Sequence, residues 1–162
     1  MFSAEQLSAA EVVLDACRAA GLRLAVAESC TGGLLAGCLT AVAGSSDVVE
    51  RGFVTYTNEA KHDMLGVDAA LIKTAGAVSE DVVRAMAAGA LAHSNAQIAV
   101  AVTGIAGPGG GTADKPVGLV HIAAVREDGE ILHGRHQFEG DRDAVRAQSV
   151  TAALEMVSKL AG

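Results

Sequence analysis

The 162-residue chain is almost without aromatic side chains: it has three Phe, one Tyr and no Trp. Its core must therefore be built from Ala, Val, Leu and Ile, and the sole tyrosine, Tyr56, stands out. Basic residues are also scarce, 12 against 19 acidic, a formal charge of −7. The resulting field repels polyanions, and no basic cluster is dense enough to track a phosphate backbone, which argues against nucleic-acid binding. Only three cysteines occur, Cys17, Cys30 and Cys38, with no Cys-x-x-Cys spacing. That is neither a disulfide framework nor a structural zinc site, and reduced thiols in a cytoplasmic protein are expected. No apolar stretch approaches the roughly 20 residues of a membrane span, and no basic region followed by a hydrophobic run and cleavage site opens the chain. A soluble protein with no membrane partner is the expectation.

What remains is 51% hydrophobic, with 19 glycines against 2 prolines. This length suits one well-filled core and is too short for two ordinary domains, so residues 1–162 are expected to form a single domain. The spacing of Leu7, Ala10, Leu14 and Cys17 predicts a helix over 4–20, opened by a Ser3/Gln6 capping box and closed by Gly21. Residues 22–27 read as a strand and 31–41 as a helix whose Gly32, Gly33, Ala36 and Gly37 permit close packing on a sheet. Each glycine inside a helix costs about 1 kcal/mol relative to alanine, so close approach to a ligand or a neighbouring helix is the expected compensation.

Alternation around Gly52 to Tyr56 predicts a strand within 48–57, and Asn58 can cap a short helix through Leu65 that holds Lys61 in its first turn. Ser79 starts a helix to about His93, with Glu80 and Asp81 near its positive end. Residues 98–103 form a small apolar strand buried on both faces. The stretch 104–116, Gly-Ile-Ala-Gly-Pro-Gly-Gly-Gly-Thr-Ala-Asp-Lys-Pro, can be neither helix nor central strand. It is a loop beyond a buried strand, where α/β sheets hold ligands. Strands over 117–126 and 130–138 flank the hairpin signal Asp128-Gly129. Asp141 opens a last helix with Val145, Ala152, Met156, Val157 and Leu160 toward the core. Alternating helices and buried strands followed by a hairpin predict an α/β fold: a three-layer α/β/α sandwich around a mixed, largely parallel sheet.

The chemistry gathers at Ala27-Glu28-Ser29-Cys30-Thr31-Gly32-Gly33, where a strand delivers a hydroxyl to a helix start whose free N–H groups can receive negative charge. Read locally, Ser29 is equally an N-cap. As a nucleophile it needs a base, and none of the five histidines stands in a paired context. Lys61 can serve if burial or a nearby cation lowers its pKa; alone it also reads as a solvated helix lysine. Tyr56 can orient that lysine or relay a proton, or simply be a half-buried strand aromatic. Cys30 is a rival nucleophile, although strand alternation turns it away from the Ser29 side chain. His133 and His136 point to opposite faces of a strand, so no metal site is assigned. The order Gly104-x-x-Gly107-Pro108-Gly109 lacks the spacing of a dinucleotide fingerprint. Its backbone N–H groups suit phosphate or ribose oxygens, and the loop also reads as a plain chain turn. Arg142 suits bidentate phosphate contact, a solvated position or a subunit contact.

Four motifs in order, the Ala27–Gly33 segment, Thr55-Tyr56-Thr57-Asn58-Glu59-Ala60-Lys61, Thr103 to Gly111 with Lys115-Pro116-Val117-Gly118, and Gly140-Asp141-Arg142, resemble the CinA C-terminal family over essentially the whole chain. The resemblance implies a nicotinamide-nucleotide amidohydrolase, which deamidates nicotinamide mononucleotide to nicotinate mononucleotide and ammonia in pyridine-nucleotide salvage. It implies Ser29 as nucleophile, Lys61 as general base and Tyr56 as supporting hydroxyl, with no metal or other cofactor. Substrate contacts are expected from Cys30, Thr31, Gly32, Gly33, Thr103, Gly104, Gly107 and Arg142. Small-residue helix faces and the resemblance together point to a homo-oligomer. Larger family members carry an N-terminal domain associated with ADP-ribose pyrophosphatase activity, which is not expected here. A non-catalytic nucleotide-binding or competence-associated module is the alternative, because a fold does not fix an activity.

Overall fold

A computed structural model describes residues 1–162. One sheet carries five strands in the order β2-β1-β3-β4-β5: β1 is Leu24–Glu28, β2 Val49–Val54, β3 Ile98–Gly104, β4 Leu119–Arg126 and β5 Ile131–Gln137. β2, β1 and β3 run parallel, while β4 and β5 continue the sheet antiparallel. Six helices cover it: α1 Ala4–Ala20, α2 Leu34–Thr40, α3 Asn58–Leu65, α4 Ala69–Ala75, α5 Glu80–Ala92 and α6 Arg142–Ala161. None is long and apolar enough to cross a membrane.

The two faces of the sheet differ in side-chain size, and strand alternation explains how. Leu24, Val26, Ile98, Val100, Val102 and Ile122 point to the face covered by α1, α2 and α6. Ala25, Ala27, Ala99, Ala101 and Ala123 point to the other, where Val82, Val83, Met86 and Ala87 of α5 pack. An alanine surface lets α5 lie close to the sheet. Crowding continues outward: a Cβ at Gly89 would stand 2.0 Å from the Leu65 carbonyl oxygen, so α5 and the end of α3 meet backbone to backbone.

Three details depart from the sequence expectation. α2 begins at Leu34, and Gly32 and Gly33 lie before it with φ of +57° and +100°. Their lack of a side chain serves a left-handed turn rather than helix packing; Gly37 is the glycine that packs, with Phe2 ring atoms 3.4 Å from where a Cβ would be. Thr57, not Asn58, caps α3, its side chain accepting from the Ala60 N–H. α4 is an additional short helix, capped by Asp68, whose seven residues are too few for periodicity to reveal. The Ser3/Gln6 capping box and the Ser79 and Asp141 caps stand where expected.

Candidate active site

The three parallel strands end in step. The Ser29 N–H donates to the Val102 carbonyl at 3.0 Å and the Thr55 N–H to the Glu28 carbonyl at 2.8 Å, which sets Ser29 and Thr55, just past β1 and β2, level with Thr103 near the carboxyl end of β3. Open α/β sheets bind ligands at this edge. A cleft of about 290 Å³ opens there, lined by Ser29, Cys30, Tyr56, Lys61, Thr103, Gly104, Gly107 and Arg142, together with Asn58 and the Ala77-Val78 segment.

Lys61 is the decisive side chain. It is 1% exposed, and its Nζ donates to Ser29 Oγ at 3.0 Å and to the Thr55 carbonyl at 2.9 Å. The Thr57 cap starts α3 immediately after β2, so the first helical turn carries Lys61 back over the strand end. Burial lowers its pKa below the ordinary lysine value, outweighing an opposing effect from Cys30. A solvated helix lysine is thereby excluded. Ser29 is not an N-cap either: the cap position of α2 is Gly33, and the helix N–H groups of Leu35 and Ala36 donate to Glu28 Oε1 and Oε2 at 2.8 and 3.0 Å. With Glu28 in the capping role, the Ser29 hydroxyl is left to Lys61.

Cys30 turns into the core with Leu35 and Val102, as alternation requires, and burial pushes its thiol up to about 11. It is protonated at neutral pH and a poor nucleophile. Thr31, Gly32 and Gly33 form the turn but do not line the cleft; Thr31 is fully buried with a hydroxyl that has no hydrogen-bond partner. The backbone N–H groups of Cys30 and Thr31 have no acceptor within the protein, and neither do those of Ala106 and Gly107 in the loop after β3.

Tyr56 is 57% exposed at the rim. Its hydroxyl accepts from Arg142 Nη2 at 2.7 Å, and Arg142 Nη1 donates to the Gly107 carbonyl at 2.8 Å. Tyr56 thus meets Arg142 rather than Lys61, and Arg142 ties the start of α6 to both the tyrosine and the glycine loop. Gly104 is required by close approach, since a Cβ there would fall 2.6 Å from Val120 Cγ2 and 3.1 Å from Cys30 Sγ. Thr103 Oγ1 donates to the Ala77 carbonyl at 2.9 Å, tying the β3 end to the segment before α5.

Two residues that local reading does not single out also shape the turn: Glu28, described above, and Arg146, whose Nε and Nη2 donate to the Cys30 and Thr31 carbonyls, each at 3.1 Å. A charged residue ending an otherwise apolar strand, and an arginine one helical turn after Arg142, are the signals that point to them. The histidines hold a further correction. His121 Nδ1 lies 3.0 Å from His133 Nε2, a pair formed across β4 and β5 that sequence spacing does not reveal. His133 also faces Glu80, while His136 stacks on Phe138, so the expectation that His133 and His136 diverge holds.

Known proteins resemble this chain over most of its length. The model of the CinA C-terminal domain family matches residues 6–161. Nicotinamide-nucleotide amidohydrolase PncC of Escherichia coli strain K12 is 49% identical over 155 residues, 96% of this chain and 94% of that protein. A CinA-like protein of Mycolicibacterium gilvum is 54% identical over 140 residues, 86% of this chain but only 33% of the longer relative. The crystal structure of competence/damage inducible protein CihA from Agrobacterium tumefaciens superposes with a TM-score of 0.97 at 51% identity, covering 99% of this chain and 98% of that one. These matches lead to one conclusion: the chain belongs to the CinA C-terminal domain family.

Proposed function

We propose that the protein is a nicotinamide-nucleotide amidohydrolase, converting nicotinamide mononucleotide to nicotinate mononucleotide and ammonia in pyridine-nucleotide salvage. The observation that carries this reading is the buried Lys61 Nζ at 3.0 Å from Ser29 Oγ, at a strand-to-helix turn with free backbone N–H groups. Relatives that this chain matches over nearly their whole length are named for that activity.

Neutral Lys61 takes the Ser29 proton as Oγ bonds to the carboxamide carbon. The oxyanion that forms is held by the N–H group of Cys30, which lines the cleft. The C–N bond then breaks, Lys61 returns the proton to the departing nitrogen as ammonia, and Ser29 holds the nicotinate acyl group as an ester. Water adds to the ester with Lys61 again as base; the C–Oγ bond breaks, and the proton goes back to Ser29. No step requires a metal. Arg142, with the Tyr56 hydroxyl and the N–H groups of Ala106 and Gly107, supplies the positive wall that suits the nucleotide phosphate.

The test is ammonia and nicotinate mononucleotide production by purified protein in the presence of chelator. Turnover supports the reading. Saturable nucleotide binding without ammonia release assigns the chain to the binding-module alternative.

A further inference from the structure

The geometry points to Arg146 as a positioning residue that builds the oxyanion site by holding the carbonyl side of the turn after Ser29; this rests on the Ser29 nucleophile of the proposed function. In a planar trans peptide the carbonyl and the following N–H point in opposite directions. Whatever grips a carbonyl therefore aims the next N–H. The Ser29 carbonyl accepts from the Gly32 N–H at 3.0 Å, which fixes the peptide bearing the Cys30 N–H. The Cys30 carbonyl accepts from Arg146 Nε at 3.1 Å, which fixes the peptide bearing the Thr31 N–H. The Thr31 carbonyl accepts from Arg146 Nη2 and from the Leu34 N–H, each at 3.1 Å, and its peptide partner is the same Gly32 N–H that bonds Ser29.

One planar guanidinium thus locks two successive peptides and closes the loop of bonds that sets a third. Cys30 lines the cleft with an N–H that has no acceptor within the protein, and it is the oxyanion donor whose peptide this network orients through the Gly32–Ser29 bond. Turn sequence alone does not hold it there: Gly32 and Gly33 follow at positive φ, a conformation that glycine adopts without specifying it strongly. Lysine cannot replace the fork, because a single ammonium reaches the two carbonyls with no fixed angle between them. Arg146 itself does not line the cleft, so its influence passes through the backbone it grips.

The experiment compares wild type, Arg146→Met and Arg146→Lys in two reactions. In the first, nicotinamide mononucleotide turnover is resolved into kcat and KM. Losing an oxyanion donor outright costs about 10²–10³ in kcat, and a misaimed donor should cost at least about tenfold in kcat with KM little changed. The second is phosphorylation of Ser29 by diisopropyl fluorophosphate, read by mass: the Oγ–P bond forms, P–F breaks, fluoride leaves, and Lys61 takes the serine proton. That reaction needs the same donor but not the nucleotide. Arg146→Met should slow it at least tenfold, Arg146→Lys should be intermediate, and millimolar guanidinium should restore part of the rate to Arg146→Met. If wild type reacts with the fluorophosphate but not with the nucleotide, the substrate reading fails, while the slower labelling of Arg146→Met still upholds the positioning role. A folded Arg146→Met with wild-type kcat and labelling rate and only a lowered Tm overturns it, since Arg146 would then merely staple α6 to the turn.

Discussion

Gly89→Ala sets two effects of opposite sign against each other and so tests how Lys61 is held. Alanine in place of glycine inside a helix is worth about 0.5–1 kcal/mol, and residue 89 is inside α5 with no special φ. On propensity alone the variant should be more stable. The structure predicts the reverse. An added Cβ would stand 2.0 Å from the Leu65 carbonyl oxygen and 2.9 Å from both Leu65 C and Cβ. Backbone cannot swing aside like a flexible side-chain end, so α3 must move away from α5 by on the order of 1 Å. Overpacking of this kind costs about 1–3 kcal/mol, which offsets the propensity gain and leaves a net loss of up to about 2.5 kcal/mol. The functional effect should be larger. Lys61 is in the same short helix, and its Nζ is already 3.0 Å from Ser29 Oγ. A displacement of about 1 Å at reacting groups can cost about 10²-fold in rate. Urea unfolding measures the first effect and steady-state ammonia release the second. A Gly89→Ala protein that is more stable and fully active would refute the argument that backbone contact between α5 and α3 positions the lysine.

Three further outcomes follow from the same site. Burial holds the Lys61 pKa below that of the unfolded chain, so the native state binds this proton less readily and folding carries a penalty below the folded pKa. The penalty is relieved as pH rises from the folded pKa toward the ordinary lysine value; Lys61→Met, inactive, should therefore exceed wild type in stability by most at the low end of that window, and equal denaturation midpoints at every pH would contradict the burial argument. In the active enzyme kcat/KM should rise with pH along a limb whose midpoint lies below the ordinary lysine value; a midpoint at that value would show a solvated lysine. The Thr31 hydroxyl is buried without a partner, so the near-isosteric Thr31→Val should be neutral or slightly stabilising and should keep its activity; a large loss of kcat would show that the hydroxyl meets the substrate.

The parts of the fold legible in the sequence are those set by local chemistry. Ser3 with Gln6, Ser79 and Asp141 each place a side-chain oxygen where the first turn of a helix lacks acceptors, and all three caps form. β3 could be read as buried because nothing polar interrupts it before Thr103. The start of α2 was harder to place: Thr31-Gly32-Gly33 can begin a helix or a left-handed turn, and the choice is made by a distant pair, Glu28 taking the helix N–H groups and Arg146 the turn carbonyls. In the candidate site, Ser29 and Lys61 are 32 positions apart, and no periodicity joins them. Their meeting depends on the parallel register of β1 and β2, so the pairing came from resemblance rather than from local physics. Tyr56 shows the limit of that route. Its place at the cleft follows from the strand, but its bond to Arg142, 86 positions away, depends on where α6 begins. The His121–His133 pair was hidden for the same reason, since it is set by the register of β4 and β5.

The most direct test of the account is to assay Ser29→Ala and Lys61→Met beside wild type for ammonia release from nicotinamide mononucleotide, with circular dichroism and denaturation curves showing that each variant is folded. Residues that act as one unit lose comparable activity whichever is removed, so both variants should fall by about 10⁴-fold or more, and the double variant should be little worse than either. A folded Ser29→Ala protein within tenfold of wild type would contradict the claim that Ser29, activated by Lys61, is the nucleophile.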